Sequence, residues 1–325
     1  DEADLLGVVD ARPERARQVA RQFGCQAWTE PTDLIGQVDA VSIAVPTGQH
    51  ADVAMPFIQR GLAVLIEKPL ADGLDQARRL VEAARRSGCL LQVGHTERFN
   101  PVVGAVERMS VQPKFIETHR ISPFTFRSAD VGVVLDLMIH DIDIVLHLVR
   151  DRPVRVEAVG VNVLGPREDI ANARVAFAGG CVANLTASRL ALKTERKIRV
   201  FSQQAYLSLD YQRKSGIAIK KEANLDVLKL ARQHKLEDLA QMQALDFSRL
   251  VQVEPLQIDD VEPLRAELQA FLHSVRTGAV PAVSAEDGLA AMQLADHIVR
   301  SIQQHRWDGS GAGPVGLADE LIRPE

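Results

Sequence analysis

Short runs of apolar residues alternate with amphipathic segments over the first hundred residues. The apolar runs end at Asp10, Pro46, Pro69 and Gly94. Each run carries Val, Ile and Leu at successive positions, as strands buried on both faces of a parallel sheet do. Between the last two runs, residues 72–88 repeat apolar positions at intervals of three and four, which indicates a helix. This alternation predicts a doubly wound α/β domain over residues 1–100.

The pattern changes after residue 100. Several runs between residues 114 and 211 alternate apolar with polar positions, which is typical of strands in a sheet that is covered on one face. Helical periodicity returns in the last part of the chain. We therefore predict a second, α+β domain over residues 101–325, with an open mixed or antiparallel sheet and C-terminal helices at about 263–305.

Composition and charge narrow the class of protein. Of the 325 residues, 46% are hydrophobic and 25% are charged, as in globular chains. The net charge of −5 and the lack of a basic tail give no support for binding nucleic acid or an anionic membrane surface. Three scattered cysteines are too few for a disulfide framework, and no apolar run approaches the ~20 residues of a membrane span. The first residues carry no signal peptide, so we predict a cytoplasmic protein.

Asp10 suggests a dinucleotide site because it ends a strand-like run. A carboxylate at such a position binds the adenosine ribose, and a glycine-rich turn lies about 20 residues before it. We therefore expect the first strand and this turn to precede residue 1. The alternative role for Asp10 is to cap the helix that begins near Pro13.

Arg12 bears on the choice of cofactor. An arginine here can bind a 2′-phosphate, whereas the carboxylate of Asp10 repels one, so we expect NAD, with NADP as the alternative. A literal Gly-x-Gly-x-x-Gly occurs at residues 311–316, but no strand-like run precedes it. We interpret that segment as a flexible tail.

Lys68 lies where an apolar strand run ends. Ligands bind at the carboxyl ends of the strands in open α/β sheets, so a lysine there is well placed for catalysis. Pro69 keeps Lys68 out of helical backbone geometry. The alternative is an exposed lysine at the exit of a strand.

Residues 135–149 form a mostly apolar segment that is interrupted by Asp136, His140, Asp143 and His147. These four residues share one stripe of a helix. Because ionisable groups in a buried helix are costly unless they are paired or used, we predict that Asp136 orients His140 as a catalytic base. A solvated face is the alternative and suits His147. A metal site would need a further ligand cluster, and the sequence shows none, so we predict no metal.

The polar segment between Gly94 and Pro101 is a candidate substrate loop, with a plain linker as the alternative. It contains Arg98 and Asn100. Arg98 and Arg120 could bind phosphate oxygens, since arginine donates in a fork that suits them. The alternative for each arginine is a surface salt bridge.

The motifs described above, in their order along the chain, resemble those of the Gfo/Idh/MocA family of sugar and cyclitol dehydrogenases over nearly the whole chain. The matching segments are VVDARPERA, DAVSIAVPTGQH, the triplet EKP, GHTERFNP and LDLMIHDID. The last segment is similar to the family's Asp-x-Gly-x-His signature. Met138 stands where the family usually has glycine, so we expect a local difference in packing against the nicotinamide.

The resemblance implies an NAD(P)-dependent dehydrogenase that oxidises a secondary hydroxyl of a sugar. It implies a Rossmann domain, followed by an α+β domain whose open sheet serves in oligomerisation, and hence a homodimer or homotetramer. It assigns the catalytic lysine to Lys68 and the catalytic histidine to His140, with Asp136 as its helper. It assigns the lining of the cofactor to Pro46, Thr47, His50 and Glu67.

The segments GHTERFNP and EPLRAELQAFLHSVRTG are most similar to those of nucleotide-sugar 3-dehydrogenases. This implies that the substrate is a small sugar or nucleotide sugar, oxidised at the 3-hydroxyl of a UDP-N-acetylhexosamine. One alternative is a dehydrogenase of a free sugar or inositol. The other is a non-catalytic sensor that binds nucleotide or sugar, and the presence of Lys68, Asp136 and His140 together argues against it.

Overall fold

The computed structural model describes residues 2–124, 131–221, 252–307 and 311–316. The chain divides into two compact units, which are described separately. Unit 1 consists of Asp1–Phe99 and Glu262–Gln293, and unit 2 consists of Asn100–Val261 and Leu294–Glu325.

The helices and strands are numbered in chain order. The strands are β1 Gly7–Val9, β2 Gln26–Trp28, β3 Ala40–Ile43, β4 Ala63–Glu67, β5 Leu91–Gly94, β6 Pro113–Ile121, β7 Pro153–Val161, β8 Ile170–Phe177, β9 Val182–Ser188, β10 Glu195–Ser202, β11 Ala205–Asp210, β12 Ser215–Lys220 and β13 Glu254–Pro255. The helices are α1 Pro13–Phe23, α2 His50–Gln59, α3 Leu74–Ser87, α4 Pro101–Arg108, α5 Ile139–Val149, α6 Pro263–Thr277 and α7 Ala285–Gln304. Short 3₁₀ helices cover Pro31–Leu34, Thr47–Gln49 and Thr96–Phe99, and a π-helical turn covers Val134–Met138.

Unit 1 contains two parallel sheets, one formed by β1 and β2 and the other by β3, β4 and β5. A doubly wound sheet has the strand order 3-2-1-4-5-6. The observed pair and triplet correspond to strands 3-2 and 4-5-6 of that order, and no described residues form the strand between them. The predicted α/β class is confirmed.

Helix ends in unit 1 follow from local sequence. α1 begins at Pro13, whose fixed φ suits the first turn of a helix, and it ends at Gly24 with a φ of 68°. α3 ends at Gly88 with a φ of 70° and buries Leu80 and Val81. The helix predicted over residues 72–88 is therefore confirmed.

The segment Glu262–Gln293 lies in unit 1, whereas the sequence assigned it to the second domain. Phe271 of α6 forms a buried cluster with Ala63 and Leu65 of β4. The backbone N–H of Val93 donates to the carbonyl of Val283 at 3.1 Å. Periodicity predicts that α6 is a helix with one buried face, but it does not say which sheet covers that face.

Unit 2 is built on an eight-stranded sheet with the order β13-β12-β11-β10-β6-β9-β8-β7. Only β6 and β9 pair in parallel, and the other neighbours are antiparallel. Along β9, Ala183, Leu185 and Ala187 are buried while the alternate residues are half-exposed. The predicted open, mixed sheet with one covered face is confirmed.

Residues 311–316 are held to unit 2, so the prediction of a flexible tail is wrong for them. The backbone N–H of Asn162 donates to the carbonyl of Val315, and that of Val315 donates to the carbonyl of Gly160, each at 3.2 Å. The indole N–H of Trp307 donates to the carbonyl of Gly313 at 3.1 Å.

Within the described part of the chain, no helix combines the length and apolar character needed to cross a membrane.

Candidate active site

Asp10 directly follows β1 in unit 1. Its carboxylate accepts the backbone N–H of Arg12 at 2.9 Å and lies 3.4 Å from Nε of the same arginine. The first of these hydrogen bonds is the main reason that the pKa of Asp10 is lowered, so the group is a carboxylate at neutral pH. Arg12, not Asp10, occupies the N-cap position of α1. Asp10 therefore presents an ionised carboxylate at a strand end, which fits the ribose hydroxyls of NAD.

The loop after β3 carries three of the residues predicted to line the cofactor. Pro46 is exposed and Thr47 is half-buried in the 3₁₀ turn that follows. His50 is 1% exposed, and its ring nitrogens lie 2.9 Å from the carbonyl oxygen of Pro69 and 3.0 Å from that of Val45. The buried ring of His50 thus connects this loop to the turn after β4 by hydrogen bonds and holds the loop in place from the interior of the unit.

The end of β4 places Glu67 and Lys68 beside β5. Glu67 pairs with Gly94, and a Cβ at position 94 would lie 3.0 Å from Cα of Glu67 and 3.2 Å from its Oε2. The backbone N–H of Lys68 donates to Oε2 of Glu67 at 3.3 Å. Glycine at position 94 therefore lets the Glu67 side chain lie against β5, at the carboxyl end of the sheet where ligands bind.

In unit 2, Asp136 lies within the π-helical turn and His140 lies in the first turn of α5. Both side chains are half-buried, whereas Met138 between them is fully buried. Asp143 is 1% exposed and is therefore not on a solvated face. His147 is hydrogen-bonded to Glu107 of α4 and is partly exposed, as expected for a residue on the solvated face of the helix.

Two residues predicted to bind substrate are buried and make contacts within unit 2. Asn100 is 6% exposed and caps α4, because its Oδ1 accepts the backbone N–H of Val102 at 3.1 Å. Arg120 is 2% exposed and forms a bidentate ion pair with Asp141, at 3.1 and 2.8 Å. These contacts engage Oδ1 of Asn100 and the guanidinium of Arg120, and the role of both residues in binding substrate stays a prediction. Arg98 is half-buried in the 3₁₀ helix Thr96–Phe99.

Sequence reasoning missed Glu267 of α6, which is fully buried in unit 1. Its Oε2 accepts the hydroxyl of Thr96 at 3.0 Å, and Oε1 has no hydrogen-bond partner among the residues that the structure describes. Burial raises the pKa of Glu267 to about 7, and the negative charges of Glu67 and Glu262 act in the same direction. The sequence could have indicated this burial, because Glu267 lies on the same face of the helix as Phe271 and Ser274, which are also buried.

We expect Glu267 to make the stability of the protein fall as the pH rises from about 4.5 to about 7. The folded state binds this proton more tightly than the unfolded state, so the unfolding free energy declines across this window, by about 3 kcal/mol at most. Glu267→Gln removes the titration. The unfolding free energy of the variant relative to wild type should therefore increase between pH 5 and pH 8, as measured by urea denaturation.

The control for this experiment is Glu286→Gln, which alters a partly exposed pair with Arg85. The control should differ from wild type by a small amount that does not change across the same pH range. A pH-independent difference between Glu267→Gln and wild type would contradict the assignment.

Among the residues that the structure describes, no group of three or more His, Cys, Asp or Glu side chains is arranged to hold a metal ion.

Comparison with known proteins places the chain in a family. Residues 1–95 match the model of the Gfo/Idh/MocA oxidoreductase family for its NAD-binding Rossmann fold. Residues 104–308 match the model for the C-terminal α/β domain of the same family. The chain belongs to the Gfo/Idh/MocA family. The predictions of an oxidoreductase with an NAD-binding Rossmann domain are thereby confirmed.

Among its relatives is UDP-N-acetylglucosamine 3-dehydrogenase of Acidithiobacillus ferrooxidans, which is 39% identical over 210 residues, or 64% of this chain and 67% of the relative. A solved structure of that enzyme aligns with a TM-score of 0.80 at 30% identity, covering 91% of this chain and 89% of the other. An inositol 2-dehydrogenase of Rhizobium meliloti is 27% identical over 322 residues, or 94% of this chain and 91% of the relative.

The described residues fit part of an NAD molecule. The carboxylate of Asp10 suits the adenosine ribose, and the loop after β3 and the end of β4 lie at carboxyl ends of parallel strands. The glycine-rich turn that holds the pyrophosphate in such domains is not among the described residues. Residues 311–316 do not replace it, because Val315 forms a bridge with Val161 of β7 in unit 2.

Proposed function

We propose that this protein is an NAD-dependent dehydrogenase that oxidises the 3-hydroxyl of a UDP-N-acetylhexosamine. The observation that carries the proposal is the 39% identity over 210 residues to UDP-N-acetylglucosamine 3-dehydrogenase. The chemical groups that the reaction requires are present in the chain: an amine at the end of β4, and an imidazole with a carboxylate one helical turn before it.

When bound, NAD would supply the hydride acceptor, C4 of its nicotinamide, for the hydrogen on the carbinol carbon. His140, oriented by Asp136, accepts the proton of the sugar hydroxyl, so the alcohol loses one proton and one hydride and becomes a ketone. Lys68 donates a hydrogen bond to the reacting oxygen and stabilises the negative charge that develops there. The alternative is that Lys68 and His140 exchange these roles.

Asp10 supports the choice of NAD over NADP. Its carboxylate is ionised at neutral pH and would repel a 2′-phosphate. The guanidinium of Arg12 lies beside this carboxylate, with Nε 3.4 Å from Oδ1. Within this proposal, Pro46, Thr47 and Glu67 line the cofactor and Arg98 contacts the substrate.

The second candidate function is oxidation of inositol or a free sugar. The similarity to the inositol 2-dehydrogenase of Rhizobium meliloti favours it, because that match extends over 94% of this chain. The two functions share the proton acceptor and the cofactor and differ only in the group that carries the hydroxyl.

We also propose a cytoplasmic homodimer or homotetramer that assembles through the open face of the eight-stranded sheet. On that face, the rings of Phe115, Phe201 and Tyr206 lie on neighbouring strands, with centroids 5.5 and 4.7 Å apart. Phe201 is 37% exposed and Ile217 is 38% exposed. A second copy would cover this patch. Light scattering of the purified protein should give the mass of two or four chains, and a monomer would contradict the proposal.

The test of the reaction is the absorbance of NADH, followed with the full native protein and NAD. UDP-N-acetylglucosamine and myo-inositol are supplied separately, and an aminotransferase with an amino donor removes the ketone. We expect reduction that depends on the nucleotide sugar. Reduction with inositol alone would support the second candidate. No reduction with any sugar, although calorimetry shows NAD binding, would favour the non-catalytic sensor.

A further inference from the structure

Residues 131–133 lead into the π-helical turn, and Val134 is its first residue. These four residues are held by groups from other parts of unit 2. The backbone N–H of Val133 donates to the carbonyl of Glu168 at 3.0 Å, and that of Val134 donates to Oε1 of Glu168 at 3.3 Å. Nη1 of Arg189 donates to the carbonyl of Val131 at 2.6 Å. The backbone at positions 131, 133 and 134 is thus held by two residues that are distant in sequence, through the side chain of Arg189 and through both the carbonyl and the side chain of Glu168.

Gly132 lies in close contact with Glu168. A Cβ at position 132 would be 2.1 Å from Oε1 and 2.5 Å from Cδ of Glu168, which no side chain could accommodate without displacing the carboxyl group. The carbonyl of Gly132 accepts the backbone N–H of Asp136 at 3.0 Å. The position of Glu168 is therefore linked through one glycine to the backbone of Asp136.

Arg189 is itself held in place. Its Nε donates to Oδ1 of Asp169 at 2.6 Å, and the two side chains are 4% and 0% exposed. Oδ2 of Asp169 accepts the backbone N–H groups of Val163 and Leu164, each at 2.7 Å. A buried ion pair with its remaining acceptors satisfied is rigid, because any movement would leave a charge unpaired in the interior.

The arrangement is more elaborate than a helix start requires. A Ser, Thr, Asp or Asn at the N-cap would satisfy the first N–H groups locally. Here Val133 occupies the N-cap and makes no side-chain hydrogen bond, and Glu168 supplies the acceptor instead. The turn that follows is π-helical, a rare geometry that is frequent at functional sites. Since Asp136 lies within that turn, a shift of residues 131–134 would move it.

We propose that Gly132, Glu168 and Arg189 act as a positioning clamp that sets the location of Asp136 and His140 for proton transfer. The inference rests on the proposed function, because it assigns the clamp a role in that reaction. The clamp residues do not touch the reacting atoms. They act through the backbone of residues 131–136.

The test compares Gly132→Ala with Gly104→Ala in the full protein. We expect Gly132→Ala to lower kcat by about tenfold or more, because a displacement of about 1 Å in a catalytic group is costly, while the KM for NAD changes little and the variant remains folded at the assay temperature. At Gly104 of α4 an added Cβ would meet its first neighbour at 3.7 Å, an ordinary contact, so that variant should keep wild-type kcat.

Rescue variants separate geometry from folding. Glu168→Asp shortens the side chain by one methylene, so it should restore kcat in the Gly132→Ala background by making room for the new methyl group. Glu168→Ala should lose kcat, while Glu168→Gln, which retains an acceptor for the N–H of Val134, should recover most of it.

A readout without substrate distinguishes failure of the clamp from failure of the proposed function. Amide hydrogen exchange of residues 133–138 should speed up in Gly132→Ala and Glu168→Ala, while the rest of unit 2 is unchanged. Unchanged exchange and kcat in these variants would overturn the clamp, as would a loss of kcat that follows a general loss of stability. If wild type lacks turnover but exchange responds as expected, the proposed function fails and the clamp remains only a structural support.

Discussion

His140→Ala should lower kcat by about a hundredfold to ten-thousandfold, which is the usual contribution of a positioned general base. The imidazole at this position is half-buried on α5, one turn after Asp136, and it is the proposed acceptor of the hydroxyl proton. Removing it leaves the proton to water. The loss should be smaller at high pH, where hydroxide replaces part of the function of the missing base.

His147→Ala is the matched control, because it removes an imidazole from the same helix seven residues later. His147 is hydrogen-bonded to Glu107 of α4 and has no role in the proposed reaction. We expect its kcat to stay within about twofold of wild type, since a partly exposed pair contributes at most about 1 kcal/mol to stability. Steady-state kinetics with the nucleotide sugar, together with circular dichroism of each variant, measures both effects.

Lys68→Ala provides an independent test of the charge-stabilising role. Loss of a donor to the developing oxyanion should lower kcat by a hundredfold or so, with little change in the KM for NAD. Full activity in either Lys68→Ala or His140→Ala, or equal losses in His140→Ala and His147→Ala, would contradict the assignment of these residues.

The elements of unit 1 could be predicted because local chemistry specifies them. The strand runs are apolar on both faces, and Pro13 and Gly88 mark the first turn of α1 and the end of α3. The strands β2, β12 and β13 were not predicted. β2 and β13 have only three and two residues, too few to establish a periodicity, and β12 lies beyond the last predicted strand run, which ends at residue 211. The assignment of α6 to unit 1 depends on its packing against β4 and on the hydrogen bond from the side chain of Gln92 in β5 to the carbonyl of Glu267, which no local pattern encodes.

In the candidate site too, some features follow from local sequence and others depend on contacts between distant parts of the chain. Lys68, Asp136 and His140 could be proposed because they stand at positions where the local pattern already implies a strand end or a buried helix. The contacts of Arg120 with Asp141 and of Asn100 with the backbone of α4 could not be predicted, because these partners are identified only by the fold. A polar side chain in a sequence looks the same whether it faces a ligand or a buried partner.

The Arg120–Asp141 pair should be among the most sensitive positions for stability in unit 2. Its side chains are 3% and 2% exposed, and the guanidinium lies 5.8 Å from the centroid of the Tyr211 ring. Asp141→Ala would deprive Arg120 of its bidentate carboxylate in the interior. Removal of one partner from a buried ion pair costs about 3–5 kcal/mol, so urea denaturation should show an unfolding free energy lower by that amount.

Two controls test whether burial causes this loss. Glu117→Ala removes the partner of Arg199 in a pair that joins β6 to β10, with side chains 30% and 45% exposed, and should cost about 1 kcal/mol or less. The double variant Arg120→Met/Asp141→Leu replaces both charges by apolar side chains and should regain most of the stability, because no charge is then left unpaired in the interior. Equal losses in Asp141→Ala and Glu117→Ala would show that the enclosure of the pair does not determine its contribution to stability.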